Sequence, residues 1–271
     1  MSSRACPAAR PDLPVSIAPP PIVMVHGAFC GGWAFERLRE PFEAAGHFVL
    51  TPDLRGHAAD DPPHAVLGVS VTDYARDLAR LCAGLDQAPI LVGHSMGGLV
   101  CALAASRTPV RAMVLLAPTA PWGVAASSME EAITAFGLHA LGPFWAQSVA
   151  PDRSLARRYS LDRMDGAERE AVASRMRPES GRALWETLNW WLDPFMTTSV
   201  GPLHVPTLVI GGERDVVHPP ATVRQTAARL GATFIEAPGM SHWLVAEPGW
   251  REIAEIAQGW LDEASASAPA G

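Results

Sequence analysis

The run Gly93-His94-Ser95-Met96-Gly97-Gly98, set between the apolar stretch 89–92 and the apolar, alanine-rich stretch 99–105, restricts what this chain can fold into more than any other feature. It reads as strand, sharp turn, helix. Glycines at 93 and 97 let the backbone pass close to its neighbours and tolerate the strained dihedrals of so tight a turn. A free serine hydroxyl is a poor nucleophile, and a turn of this kind exposes Ser95 to a base and to N–H donors. A strand that feeds a helix in this way calls for a parallel α/β sheet in the rest of the chain.

The remaining sequence supplies one. Short apolar runs alternate with amphipathic stretches from Pro21 onward: a strand at 22–25, a helix over 33–45, a strand at 48–50, a loop over 54–70, a helix over 72–85 and a strand at 112–116. Strand, helix, strand and helix follow over 206–210, 219–230, 233–235 and 248–261. The alternation implies an α/β fold with a mostly parallel sheet flanked by helices. Residues 118–206 break the rhythm, with helical periods at 129–141, 168–177 and 180–192 and no strand pattern. The expected organisation is a flexible leader over 1–20, a core over 21–118 and 206–263, an inserted helical cap over 119–205, and a disordered tail over 264–271.

Composition narrows the function. A chain of 271 residues that is 48% hydrophobic can bury one large core. It holds no apolar run of membrane-spanning length and no secretory signal pattern. Cys6, Cys30, Cys82 and Cys101 have no metal-ligand spacing and read as free thiols of a reducing cytoplasm. The formal charge is −7, and without a basic run this argues against nucleic-acid or anionic-membrane partners. All 21 basic residues are arginine, so mechanisms that need a lysine are closed. The expected partner is a small-molecule ester, with no cofactor and no metal; the oligomeric state is not legible.

Serine chemistry needs a base, an acid to orient it and two N–H donors for the oxyanion. In this fold the acid and then the base follow the serine in chain order. Asp215 stands after the strand at 206–210 and is the expected acid, with Glu213 as its local competitor; Ala117-Pro118-Thr119-Ala120 has no carboxylate to offer. His242, in the loop after the last strand, is the expected base. Met96 N–H, opening the helix after the serine, is one oxyanion donor. Ala28 N–H, in the loop after the first strand, is the other, with Phe29 N–H as runner-up. Five of nine tryptophans lie in the inserted segment. The expected substrate pocket is drawn from Phe29, Cys30, Trp122, Trp145, Trp190, Trp191 and Trp243.

Residues 26–29, 52–57, 93–98, 212–215 and 239–242 together resemble the α/β-hydrolase superfamily over nearly the whole chain after the leader. The resemblance implies a serine hydrolase with a Ser95-His242-Asp215 triad, esterase-like and capped by helices. Residues 26–46 also look like plant methylesterases and hydroxynitrile lyases. Those lyases rely on a cap lysine that this chain lacks. Serine at 95 departs from the aspartate of haloalkane dehalogenases and epoxide hydrolases. Lactone or carbon–carbon bond hydrolysis with the same triad is the alternative, and a ligand receptor on a hydrolase scaffold is a third reading.

Overall fold

The computed structural model describes residues 18–128 and 142–266. Most of the leader, the helix expected at 129–141 and the last five residues of the tail lie outside them.

Strands β1 (Ile22–Val25), β2 (Val49–Leu50), β3 (Ile90–His94) and β4 (Ala112–Leu116) form the first part of a sheet, and later strands complete it. The residues of β1, β3 and β4 are buried throughout, as strands covered by helices on both faces must be. Helices α1 (Arg39–Ala44), α2 (Val71–Ala83) and α3 (Met96–Ala105) connect them. Ser70 and Asp73 form a capping box at the start of α2, which fixes where that helix begins. The single helix expected over 33–45 is instead a short 3₁₀ turn, Gly32–Phe35, followed by α1. Pro41 sits in the first turn of α1, where its missing N–H costs nothing.

The inserted segment departs from the expectation of helices alone. Strands β5 (Ser148–Val149) and β6 (Glu179–Ser180) pair antiparallel, and two-residue strands leave no alternation for a sequence to show. Helices α4 (Gly166–Arg175) and α5 (Gly181–Leu188) flank β6. The sheet resumes with β7 (Thr207–Gly212) and β8 (Thr233–Ala237), joined by α6 (Pro220–Leu230), and α7 (Trp250–Ala266) closes the fold. The expected tail therefore begins as helix, because α7 continues through 264–266.

The sheet is parallel throughout, in the order β2-β1-β3-β4-β7-β8. The chain winds one way from β1 to β2 and the other way from β3 onward. Strand order thus reverses between β1 and β3, and the crevice beyond their carboxyl ends is where ligands bind in such sheets. Val25 pairs with Gly93, so the loops leaving β1 and β3 start level with each other.

Candidate active site

Ser95 occupies the turn between β3 and α3 with φ +53° and ψ −123°, a conformation that costs a non-glycine residue about 1–3 kcal/mol. The surroundings impose it. Ser95 N–H donates to Leu116 O of the next strand, and Ser95 O accepts from Gly98 and Thr119 N–H. A Cβ on Gly97 would lie 2.1 Å from Val25 O, and one on Gly93 would lie 2.6 Å from Gly97 O. The helix start therefore rests directly on the end of β1, an approach open only to glycine. The side chain of Ser95 sits beside the β1 loop, since a Cβ on Gly27 would meet Ser95 Cβ at 2.9 Å.

Asp215 and His242 come together as the sequence predicts. His242 Nδ1 donates to Asp215 Oδ2 at 2.8 Å, and both residues are buried. Asp215 Oδ1 accepts the N–H groups of Val217 and His218 at 2.8 and 2.9 Å. Burial works to raise the Asp215 pKa, but the charge and hydrogen bond of His242 outweigh it and hold the carboxyl below its usual range. Asp215 is thus an anion that orients an imidazole. Glu213, the competitor, lies exposed and accepts from Gly239 N–H at 2.6 Å, away from His242.

Among the described hydrogen bonds none runs from Ser95 Oγ to His242; the two are linked through His94. His94 Nε2 donates to His242 O at 2.9 Å, and the two rings lie 5.0 Å apart. Burial, then the neighbouring His242, lowers the His94 pKa to about 3, so this ring is neutral and structural. His218 packs edge-on against His242 from another side at 5.2 Å, and its Nε2 meets Thr119 Oγ1 at 3.0 Å. Its pKa falls to about 4, chiefly through burial and then through His242. His242 is therefore held between two uncharged imidazoles, and neither contact has a signature in the spacing of the sequence.

The N–H groups of Ala28 and Met96 have no hydrogen-bond partner among the described residues. Met96 is the first residue of α3, where N–H groups point outward and the helix dipole is positive. The runner-up donor is otherwise engaged: Phe29 N–H donates to Glu179 Oε2 of β6 at 3.3 Å. Phe29, at φ +64°, also accepts from Arg177 N–H through its carbonyl.

The expected pocket residues divide. Trp122 and Trp190 are half-buried and meet edge to face at 5.5 Å. Trp145 and Trp191 are exposed. Cys30 and Trp243 are buried in the main apolar cluster. Trp243 packs against the rings of His94 and Trp33, and burial followed by the charge of Glu179 pushes the Cys30 thiol up to about 12. Cys30, Cys82 and Cys101 are free, as expected, and all three are buried; Cys6 lies outside the described residues. Among the described residues no cluster has the make-up of a metal site, and no helix is long and apolar enough to cross a membrane.

A wholly parallel sheet with a strained serine elbow at its switch point is the architecture of an α/β hydrolase. The chain belongs to the Alpha/beta hydrolase family, whose model matches residues 22–256. Salicylic acid-binding protein 2 of Nicotiana tabacum is 40% identical over 110 residues, which cover 39% of this chain and 42% of that protein. A pyrethroid hydrolase of Sphingobium wenxiniae is 33% identical over 99 residues, 36% of this chain and 35% of that enzyme. The chain thus aligns with well under half the length of the curated relatives it matches. Among solved structures, an extracellular alpha/beta-hydrolase from a Paenibacillus species superposes with TM-score 0.67 at 21% identity, covering 91% of this chain and 99% of the other. A thermophilic esterase from Thermogutta terrifontis gives TM-score 0.67 at 22% identity, with 91% of each chain covered. At these identities the two structures support the fold alone.

Proposed function

We propose that the protein is a carboxylic-ester hydrolase that acts on small esters with an apolar moiety through an acyl-enzyme. The carrying observation is the strained Ser95 elbow in the same loop cluster as the buried Asp215–His242 pair. In this reading Ser95 Oγ attacks the ester carbonyl carbon while His242 takes the hydroxyl proton through Nε2. Asp215 holds the imidazole by Nδ1 and stabilises the imidazolium. The oxyanion settles against Ala28 and Met96 N–H, worth about 100- to 1000-fold in turnover for each donor. The C–O bond then breaks, and His242 returns the proton to the leaving alcohol. Water attacks the acyl-enzyme with the same base and regenerates Ser95. Methylesterases and a pyrethroid hydrolase among the partial relatives support the choice of ester over other substrates. The aromatic groups of the cap, Trp122 and Trp190 first, are assigned to the apolar part of the substrate. The free buried thiols support a reducing cytoplasm as the site of action.

The test is fluorophosphonate labelling with a p-nitrophenyl ester series graded by acyl length. Wild type is expected to be labelled and to turn over, and Ser95→Ala to lose both; turnover unchanged in Ser95→Ala overturns the reading. Product analysis on simple lactones then separates lactonase from open-chain esterase activity.

A further inference from the structure

The most heavily coordinated carboxylate described in the molecule lies outside the candidate catalytic residues. Glu179, from β6 of the inserted segment, is fully buried and accepts four donors, two on each oxygen. Oε1 receives the Tyr74 hydroxyl and Ser180 N–H, both at 2.7 Å. Oε2 receives His57 Nε2 at 3.1 Å and Phe29 N–H at 3.3 Å. His57 also points Nδ1 at Arg55 O at 3.2 Å, and its ring packs on His26 and Tyr74. With oxygen acceptors at both nitrogens, His57 faces partners that favour its protonated form, buried against the Glu179 carboxylate. The titration shifts agree: burial works against both charges, yet His57 is raised and Glu179 lowered, because each holds the other charged.

Phe29 is the point where this pair touches the candidate oxyanion loop. Its N–H is held by Glu179 and its carbonyl by Arg177 N–H, so residues 177–179 grip both polar groups of one residue in a left-handed conformation. On the other side of Ala28, Gly27 lies against Ser95. Ala28 is therefore fixed between a residue resting on the nucleophile and a residue held by Glu179. His26 completes the anchorage, its Nε2 accepting from Leu54 N–H at 2.9 Å.

We propose that Glu179, supported by His57, is a positioning residue for hydrolysis: it holds the Phe29 peptide so that Ala28 N–H faces the oxyanion formed on Ser95. The inference rests on the assignment of Ser95 as nucleophile and Ala28 as donor. A carboxylate is suited to this because it alone accepts four hydrogen bonds without carrying a proton of its own.

Glu179→Gln tests it selectively. The amide oxygen can keep Tyr74 and Ser180, and a neutral His57 can accept from the amide NH₂ through Nε2. Phe29 N–H then faces a donor and loses its partner. The experiment compares wild type, Glu179→Gln and Tyr74→Phe in the rate of Ser95 phosphonylation by a fluorophosphonate, in kcat and KM for p-nitrophenyl butyrate, and in Tm. Glu179→Gln is expected to slow phosphonylation and kcat together by about 10- to 100-fold with KM retained, the scale of a misplaced reacting group. Tyr74→Phe is expected to lower Tm while both rates stay at or near wild type. Glu179→Asp, which keeps the charge but withdraws it by one methylene, carries the same rate expectation if Glu179→Gln does not fold. Wild-type rates in Glu179→Gln, or slowing of both variants in proportion to lost Tm, overturn the inference. A wild type that is phosphonylated yet hydrolyses no ester refutes the esterase reading, while the phosphonylation rates still decide the role of Glu179.

Discussion

The parallel sheet and the segment inserted between β4 and β7 are held together by different kinds of bond. In the sheet, five-residue strands such as β3 and β4 pair through backbone hydrogen bonds and bury every side chain. In the insertion, strands are two residues long, and the attachment to the sheet domain is largely by side chains. Arginine forks span the boundary: Arg37 to Glu168, and Arg175 to both carboxylate oxygens of Glu36. Arg175 also lies over the Trp33 ring at 4.5 Å. Two buried carboxylates reach inward, Glu179 to the β1 loop and Glu186 to Ser70 and Val71 at the start of α2. Several apolar side chains of the insertion meanwhile face solvent, Phe195 at 87% exposure and Trp191 at 51%. The backbone-built region carries the candidate nucleophile, and the side-chain-built region packs around the loop beside it.

The sharpest way to break this contrast is at the elbow. Ser95→Ala is expected to lower ester turnover by about 10⁶-fold, the scale for loss of an activated nucleophile, with Tm unchanged within error. A residual rate near wild type in a purified sample would return the nucleophile to some other residue. Asp215→Asn should lower kcat by about 10⁴-fold by giving His242 the wrong tautomer. Glu213→Ala, by comparison, should leave kcat untouched. Equal losses in these two variants, read on one ester, would undo the choice between the neighbouring carboxylates.

Backbone crowding gives the next effect. Gly97→Ala places a methyl 2.1 Å from Val25 O, where no flexible side chain can yield, and is expected to cost about 3 kcal/mol by denaturant melt. Phe195→Ala in the insertion should change stability by no more than about 0.5 kcal/mol. Similar losses for the two would erase the distinction between the regions.

The smallest effect is one of pH. Glu247, behind the His242 loop, accepts Ser241 N–H at 2.7 Å, and burial raises its pKa to about 7. The folded state therefore binds this proton more tightly than the unfolded chain does. Stability from this group is fully present below the unfolded value of 4.5 and is lost as pH rises through about 7. Wild-type Tm should fall between pH 5 and about 8. Glu247→Gln should flatten that slope; a parallel slope in both proteins would place the titration elsewhere. On the acid side the opposite sign holds for Asp215, whose lowered pKa means stability lost as pH falls through its folded value.

The same contrast explains what could be read from the residues alone. The strands read at 89–92 and 112–116 and the turns that carry Ser95, Asp215 and His242 are local patterns, since periodicity and turn chemistry are written within a few positions of one another. The break of the first helix into a 3₁₀ turn and α1, and the pairing of β5 with β6, depend on packing and leave no period to count. Glu179 was invisible for a simpler reason. It pairs with His57 and Phe29, 122 and 150 positions away, and a lone carboxylate before a helix cap looks like any surface acid. Trp243, an aromatic beside the candidate base, is buried against the His94 ring, a contact that its place in the sequence does not reveal.

The grip of residues 177–179 on Phe29 also bears on how such a chain can be cut, grafted or shortened. A shortened chain that joined β4 directly to β7 would keep every pair of the six-stranded sheet and would still lose the clasp on its β1 loop. Arg177 through Ser180 thus serve the sheet although the insertion delivers them. An exchange of caps between relatives should treat those four positions as part of the recipient and vary only what flanks them.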